Sequence, residues 1–96
     1  MPFENHGSRS FTAASVQKNA PSASGVYGLS NAREWIYVAE TDDIQAALQK
    51  HLHDQGPITM HAPSGFTFEL SEAGQRVGRR DQLVDELHPA ANRSRA

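Results

Sequence analysis

Ninety-six residues, 38% of them hydrophobic and 21% charged, with a formal net charge of −2, fit one small domain and leave no room for a second. The absence of cysteine excludes a disulfide framework, a thiolate zinc site and a cysteine nucleophile, so packing alone must hold the core. The slightly acidic balance argues against the sequence-indifferent nucleic-acid binding of basic proteins, whose affinity comes from neutralising phosphates, although it allows a local basic patch.

Residues 1–24 are rich in Ser, Ala, Asn and Gly, with Phe3, Phe11 and Val16 as apolar anchors. They are expected to form a mobile N-terminal segment, partly docked near Phe11 and Val16. Residues 25–29 (GVYGL) and 34–39 (EWIYVA) read as two strands joined by a four-residue turn. Alternation sets Trp35, Tyr37 and Ala39 on one face of the second strand and Ile36 and Val38 on the other, which suits a central strand covered on both sides. Thr41 or Asp42 is the expected N-cap of a helix that carries Ile44, Leu48, His51 and Leu52 at helical spacing and ends at Gln55-Gly56-Pro57.

Residues 65–70 (GFTFEL) alternate strictly, Phe66, Phe68 and Leu70 against Thr67 and Glu69, the pattern of a strand with one buried face. A last helix is expected to start between Ser71 and Gly74, with Ser71 as its cap, and to stop at Pro89. The expected class is α/β in the α+β sense, in the order β-β-α-β-α, with the domain over residues 25–92 and a frayed tail at 93–96. No apolar run reaches the roughly 18–20 residues of a membrane span, and the first ten residues lack the apolar stretch of a secretory signal. The expectation is a cytoplasmic protein without membrane contact.

Three constellations carry polar chemistry. His51 and His53 point about 200° apart around a helix, whereas helical metal pairs use spacings of three or four. With His6, His61 and His88 dispersed, solvated or hydrogen-bonded histidines are the simpler expectation. On the last helix, Arg80 stands in the middle of a stripe formed by Val77, Leu83, Val84 and Leu87. It must run out to solvent, pair with a strand acid such as Glu40 or Glu69, or hold a phosphate. Tyr27 and Tyr37 fall at near matching heights on adjacent strands, with His51 on the next helix. Such tyrosines are usually core residues, but phenols beside an imidazole can position and deprotonate a water for attack on a phosphodiester.

At these residues the chain resembles the GIY-YIG nuclease superfamily. The resemblance is carried by Gly25-Val-Tyr27, Ile36-Tyr-Val-Ala39-Glu-Thr41, the helix with Ile44 and His51, and the ending Leu83-Val84 … Pro89-Ala-Ala-Asn92, and it spans about residues 24–92. It implies a small three-stranded antiparallel sheet flanked by helices. Active members cleave phosphodiesters with one divalent metal, the tyrosines helping to activate water, an arginine on the first helix steadying the phosphate and a glutamate on the last helix holding the metal. Carried over, Tyr27, Tyr37, His51 and Asn92 match. The glycine of the second tripeptide is Ala39, the arginine position is Ala47, and the glutamate position, twelve residues before Asn92, is Arg80. An arginine there repels a cation instead of ligating it. Asp81 is a weak substitute, about 100° further around the helix and shorter.

The expectation is therefore a degenerate member that has lost metal-dependent cleavage, needs no cofactor, and binds nucleic acid or phosphate. Its catalytic remnants are Tyr27, Tyr37 and His51, and its binding residues Arg76, Arg79, Arg80 and Asn92. Residues 75–96 carry five arginines against three acids, a local basic excess on a near-neutral chain. One alternative is an active endonuclease using Mg2+ or Mn2+ on altered ligands. The other is a protein-interaction or structural subunit, in which the acidic stretch from Glu34 to Asp54 and the basic last helix meet a protein partner or a second copy.

Overall fold

The computed structural model describes residues 9–53 and 57–93, with the backbone alone at Pro57, Thr59, Asn92 and Arg93. Phe3, His6, Asp54 and Arg95, and the tail at 94–96, lie outside the described residues. The elements in chain order are β1 (Arg9–Ser10), α1 (Ala13–Asn19), β2 (Gly25–Ser30), β3 (Trp35–Thr41), α2 (Ile44–His53), α3 (Pro57–Met60), β4 (Gly65–Leu70), α4 (Ala73–Leu87) and α5 (Ala90–Arg93). They build one antiparallel sheet in the order β1-β4-β2-β3. The expected three strands are thus four, because Arg9 and Ser10 pair with Phe66 and Gly65 along the edge of β4.

The first helix was hidden by its composition. α1 has one fully buried anchor, Val16, and too few other apolar residues to show a period. Its start is defined chemically: the Thr12 side chain accepts from the Ser15 amide at 3.2 Å. α2 starts one residue later than expected. Asp43 is its cap, with Oδ1 accepting from the Ala46 amide at 3.0 Å, while Thr41 Oγ1 accepts from the Asp43 amide and shapes the approach. α4 has Glu72, not Ser71, in the capping position and ends at His88, whose φ of 51° is left-handed, ahead of Pro89. Among the described residues, no helix is long and apolar enough to cross a membrane.

Helices cover both faces of the sheet. Tyr27, Leu29, Ile36, Ile44, Leu48, Phe66 and Phe68 form the main cluster on the side of α1 and α2, with Val16 inserted from α1. Val26, Val38 and Leu83 form a smaller cluster under α4, with Trp35, Val84 and Leu87 against it. Strict alternation in β3 fails for a local reason. Leu29 pairs with Tyr37 but Ser30 with Trp35, so Ile36 is an extra residue. This bulge turns Ile36 to the side of Tyr37 and Ala39 and leaves Trp35 with Val38. β3 is also an edge strand and not a central one; its second apolar surface is met by α5. In β4, both Phe66 and Thr67 are buried while Leu70 is exposed, so the one-sided pattern holds neither in the middle nor at the end.

Gly25 marks the tightest strand contact. A methyl group built there would collide with the Glu69 carbonyl oxygen and lie 2.9 Å from the Ile44 side chain. Gly25→Ala is therefore expected to cost about 1–3 kcal/mol through overpacking, measured as a lower midpoint in urea unfolding. Unchanged stability would mean that β2 and β4 approach less closely than described.

Candidate active-site cleft

Tyr27 stands on β2, Tyr37 on β3 and His51 in the last turn of α2. The register places Ala39 opposite Tyr27 and Leu29 opposite Tyr37, so the two phenols are diagonal neighbours across the hairpin. Packing of Ile44 and Leu48, both fully buried, holds α2 against β2 and delivers the His51 ring between them. Ring centroids are 6.4 Å apart for Tyr27 and Tyr37, 5.6 Å for Tyr27 and His51, and 5.4 Å for Tyr37 and His51. The Tyr27 hydroxyl is 2.7 Å from His51 Nε2.

Tyr27 is 4% exposed. Burial pushes its phenol well above the ordinary value, and the neighbouring charges of Tyr37 and Glu40 push in the same direction. The phenol keeps its proton and is held by His51 Nε2, with the direction of the bond set by the imidazole tautomer. Tyr27 consequently supplies no phenolate near neutral pH. Its role is to hold the imidazole ring in one orientation.

The three rings border an open cleft of about 450 Å³. Ala47, one helical turn before His51, lines it with a methyl group where the resemblance calls for an arginine. Four charged side chains that the sequence did not assign to the site also line it: Glu40, Asp42, Asp43 and Lys50. They follow Tyr37 in the run Glu40-Thr41-Asp42-Asp43 and stand one residue before His51, a signal that was present but whose direction depended on the path from β3 into α2. The cleft is thus lined by more acid than base. These acids do not form a ligand set: Asp43 Oδ1 caps α2, Glu40 is paired with Arg76, and among the described residues no three histidine, aspartate or glutamate side chains come together as metal ligands.

The α4 arginines are placed differently from the expectation. Arg80 bonds to its neighbour Asp81 at 2.9 Å and is not part of the cleft lining; Asp81 is exposed on the same side of α4. The strand acids are taken by the other two. Arg76 Nε lies 3.0 Å from Glu40, and Arg79 makes a forked pair with Glu69 at 2.7 and 2.9 Å. Arg76 and Arg79, in the first half of α4, reach Glu40 and Glu69 near the ends of their strands. The Asn92 side chain lies outside the described residues. His53 and His88 are exposed, and His61 sits 3.6 Å from Glu34 at the hairpin end, so the five histidines do not assemble among the described residues.

No family model and no curated protein matches the chain. Among solved structures it is similar to the GIY-YIG N-terminal endonuclease domain of UvrC from Thermotoga maritima bound to magnesium, its catalytic divalent cation, at 20% identity and a TM-score of 0.67, covering 80% of this chain and 94% of that one. Two tyrosine-to-phenylalanine mutants of that domain, also with the cation bound, give TM-scores of 0.66 and 0.67 at 20% and 19% identity. The chain has the GIY-YIG endonuclease fold.

The raised proton affinity of Tyr27 has a measurable sign. Above about pH 10 the unfolded chain loses a proton that the folded protein retains, so this contribution to stability is complete below that pH and declines as pH rises. Urea unfolding from about pH 8 to about pH 11 is expected to show this decline, at up to ~1.4 kcal/mol per pH unit. Tyr27→Phe is expected to lose that part of the slope. An identical slope in the variant would mean that the phenol ionises within the folded protein.

Proposed function

We propose that this chain is a degenerate member of the GIY-YIG nuclease superfamily that has lost metal-dependent phosphodiester cleavage and keeps its cleft, within residues 25–92, as a binding site for nucleic acid or phosphate. The observation that carries the reading is the retained Tyr27–His51 hydrogen bond with Tyr37 beside it, next to Ala47 in the lining and an Arg80 turned to Asp81. The imidazole and phenols are held in place, whereas the groups that would steady a phosphate and hold a metal are gone. When bound, a divalent cation in such a fold polarises the phosphate and supports water attack. The donor set here does not fit it, because of the three cleft carboxylates Asp43 caps α2 and Glu40 is paired with Arg76, and no three acidic or histidine side chains among the described residues come together as ligands.

For a phosphate, the Tyr37 hydroxyl and Lys50 are the donors that line the cleft. Arg76, Arg79 and Arg80 already hold carboxylates, so contact through them requires exchanging an internal ion pair for a phosphate. Affinity is accordingly weak and makes few phosphate contacts. A second reading is favoured by Glu40, Asp42 and Asp43, which line the cleft with negative charge: an interaction subunit receiving a basic segment of a protein partner.

Supercoiled plasmid and branched DNA incubated with Mg2+ or Mn2+ are expected to remain uncut. Robust cutting that Tyr27→Phe abolishes would overturn the proposal in favour of an active endonuclease with other ligands. Fluorescence anisotropy with short DNA and RNA is expected to show weak binding at low salt, with a logarithmic salt slope of about one or two. No affinity at low salt would give the lead to the protein-partner reading.

A further inference from the structure

We propose that Arg76 is the resident cation beside this cleft: a guanidinium, tethered by its own helix, that neutralises the lining residue Glu40 from behind and takes the electrostatic place of a divalent ion. The inference builds on the non-cleaving reading of the cleft and says what replaced the metal.

Glu40 lines the cleft beside Tyr27, Tyr37 and His51. Its carboxylate oxygen is 3.0 Å from Arg76 Nε, and the side chains of the pair are only 25% and 19% exposed. Arg76 is held from a third direction, since its Nη1 donates to Ser24 Oγ at 3.1 Å, and Ser24 Oγ in turn donates to the Ser71 carbonyl at 2.7 Å. The guanidinium is therefore fixed between β3, the approach to β2 and the approach to α4. Its place on α4 is otherwise unfavourable. Arg76 is the fourth residue of the helix, close to the positive end of its dipole, where acids are preferred and cations are not. A local anion must compensate, and Glu40 is that anion.

The cleft explains why a fixed cation is needed. Glu40, Asp42 and Asp43 line one small volume, so its border carries more acid than base and attracts cations. The UvrC domain that shares the fold is bound to a divalent cation. Here the need is met within the chain. Arginine suits the role because it keeps its charge at every pH at which the protein is folded and offers several donors in a rigid plane. A side chain at a fixed distance is not lost by dilution or chelation. It also leaves no coordination position for water, so the exchange replaces a reactive ion with a structural one.

The test is equilibrium binding of Mn2+ alone, read by calorimetry without any substrate. The wild-type protein is expected to bind Mn2+ negligibly. Arg76→Gln leaves Glu40 uncompensated and is expected to bind at least about tenfold more tightly, Arg76→Lys to behave as wild type, and the double variant Glu40→Gln/Arg76→Gln to lose the gain. Equal Mn2+ affinity in wild type and Arg76→Gln overturns the proposal, as does a gain that survives in the double variant. If Arg76→Gln does not fold, wild-type protein decides alone. Selective NMR line broadening of the Tyr27 and His51 rings at stoichiometric Mn2+ overturns the proposal, and unbroadened signals support it. The two proposals fail separately, because tight Mn2+ binding without DNA cleavage would sink this one and leave the non-cleaving reading standing.

Discussion

The architecture of the cleft depends on one polar contact made from inside the core. Tyr27 lies on an interior strand with its ring buried among Leu29, Ile44, Leu48 and Phe66. A phenol taken out of water without a partner costs on the order of 1–3 kcal/mol. The hydroxyl therefore needs a fixed hydrogen-bond partner, and His51 Nε2 provides it at 2.7 Å. That partner arrives only if α2 packs in the right rotation, which Leu48 and Ile44 enforce from one and two turns away. Core packing and site geometry are thus one constraint. Tyr27 and His51 are held by the packing of the domain itself, whatever chemistry the cleft performs.

The contrast with the charged groups follows. Arg80 is partly exposed on α4 and Ala47 lies at the rim of the core where it meets the cleft, and both depart from the residues that the resemblance calls for. Charges at the ends of strands are constrained differently. Glu40 and Glu69 stand near α4, and each draws one of its arginines, so two of the five arginines in residues 75–96 are spent inside the molecule. The surface that a partner meets is less basic than the count of arginines implies.

Much of this was readable from the chain, and what was not has definable causes. The periodic segments were placed to within a residue or two, because β2, β4 and α2 each carry enough apolar anchors to show their period. α1 escaped because a single buried valine makes no pattern, and β1 because two residues make no strand without the β4 edge beside them. The bulge at Ile36 inverted half of the facing assignment in β3, a consequence of pairing that no single strand contains. At the site, the ring cluster was visible from spacing, since strand and helix geometry bring Tyr27, Tyr37 and His51 together. The acids of the cleft and the partners of the arginines were not, because they depend on how the chain turns from β3 into α2 and how α4 is rotated over the sheet.

The rotation of α4 also decides which residue balances the acid that lines the cleft. Counting along the chain selects Arg80, whereas the structure turns Arg80 toward Asp81 and brings Arg76, one turn earlier, to the acid that lines the cleft. Sequence position identifies the residue that was exchanged, and helix geometry identifies the residue that does the balancing. The two need not coincide, since a cation anywhere within reach of Glu40 satisfies the charge, while a metal ligand must stand at one coordination distance. Electrostatic compensation is the looser requirement, and it is the one a diverging chain can meet from a neighbouring turn of the same helix.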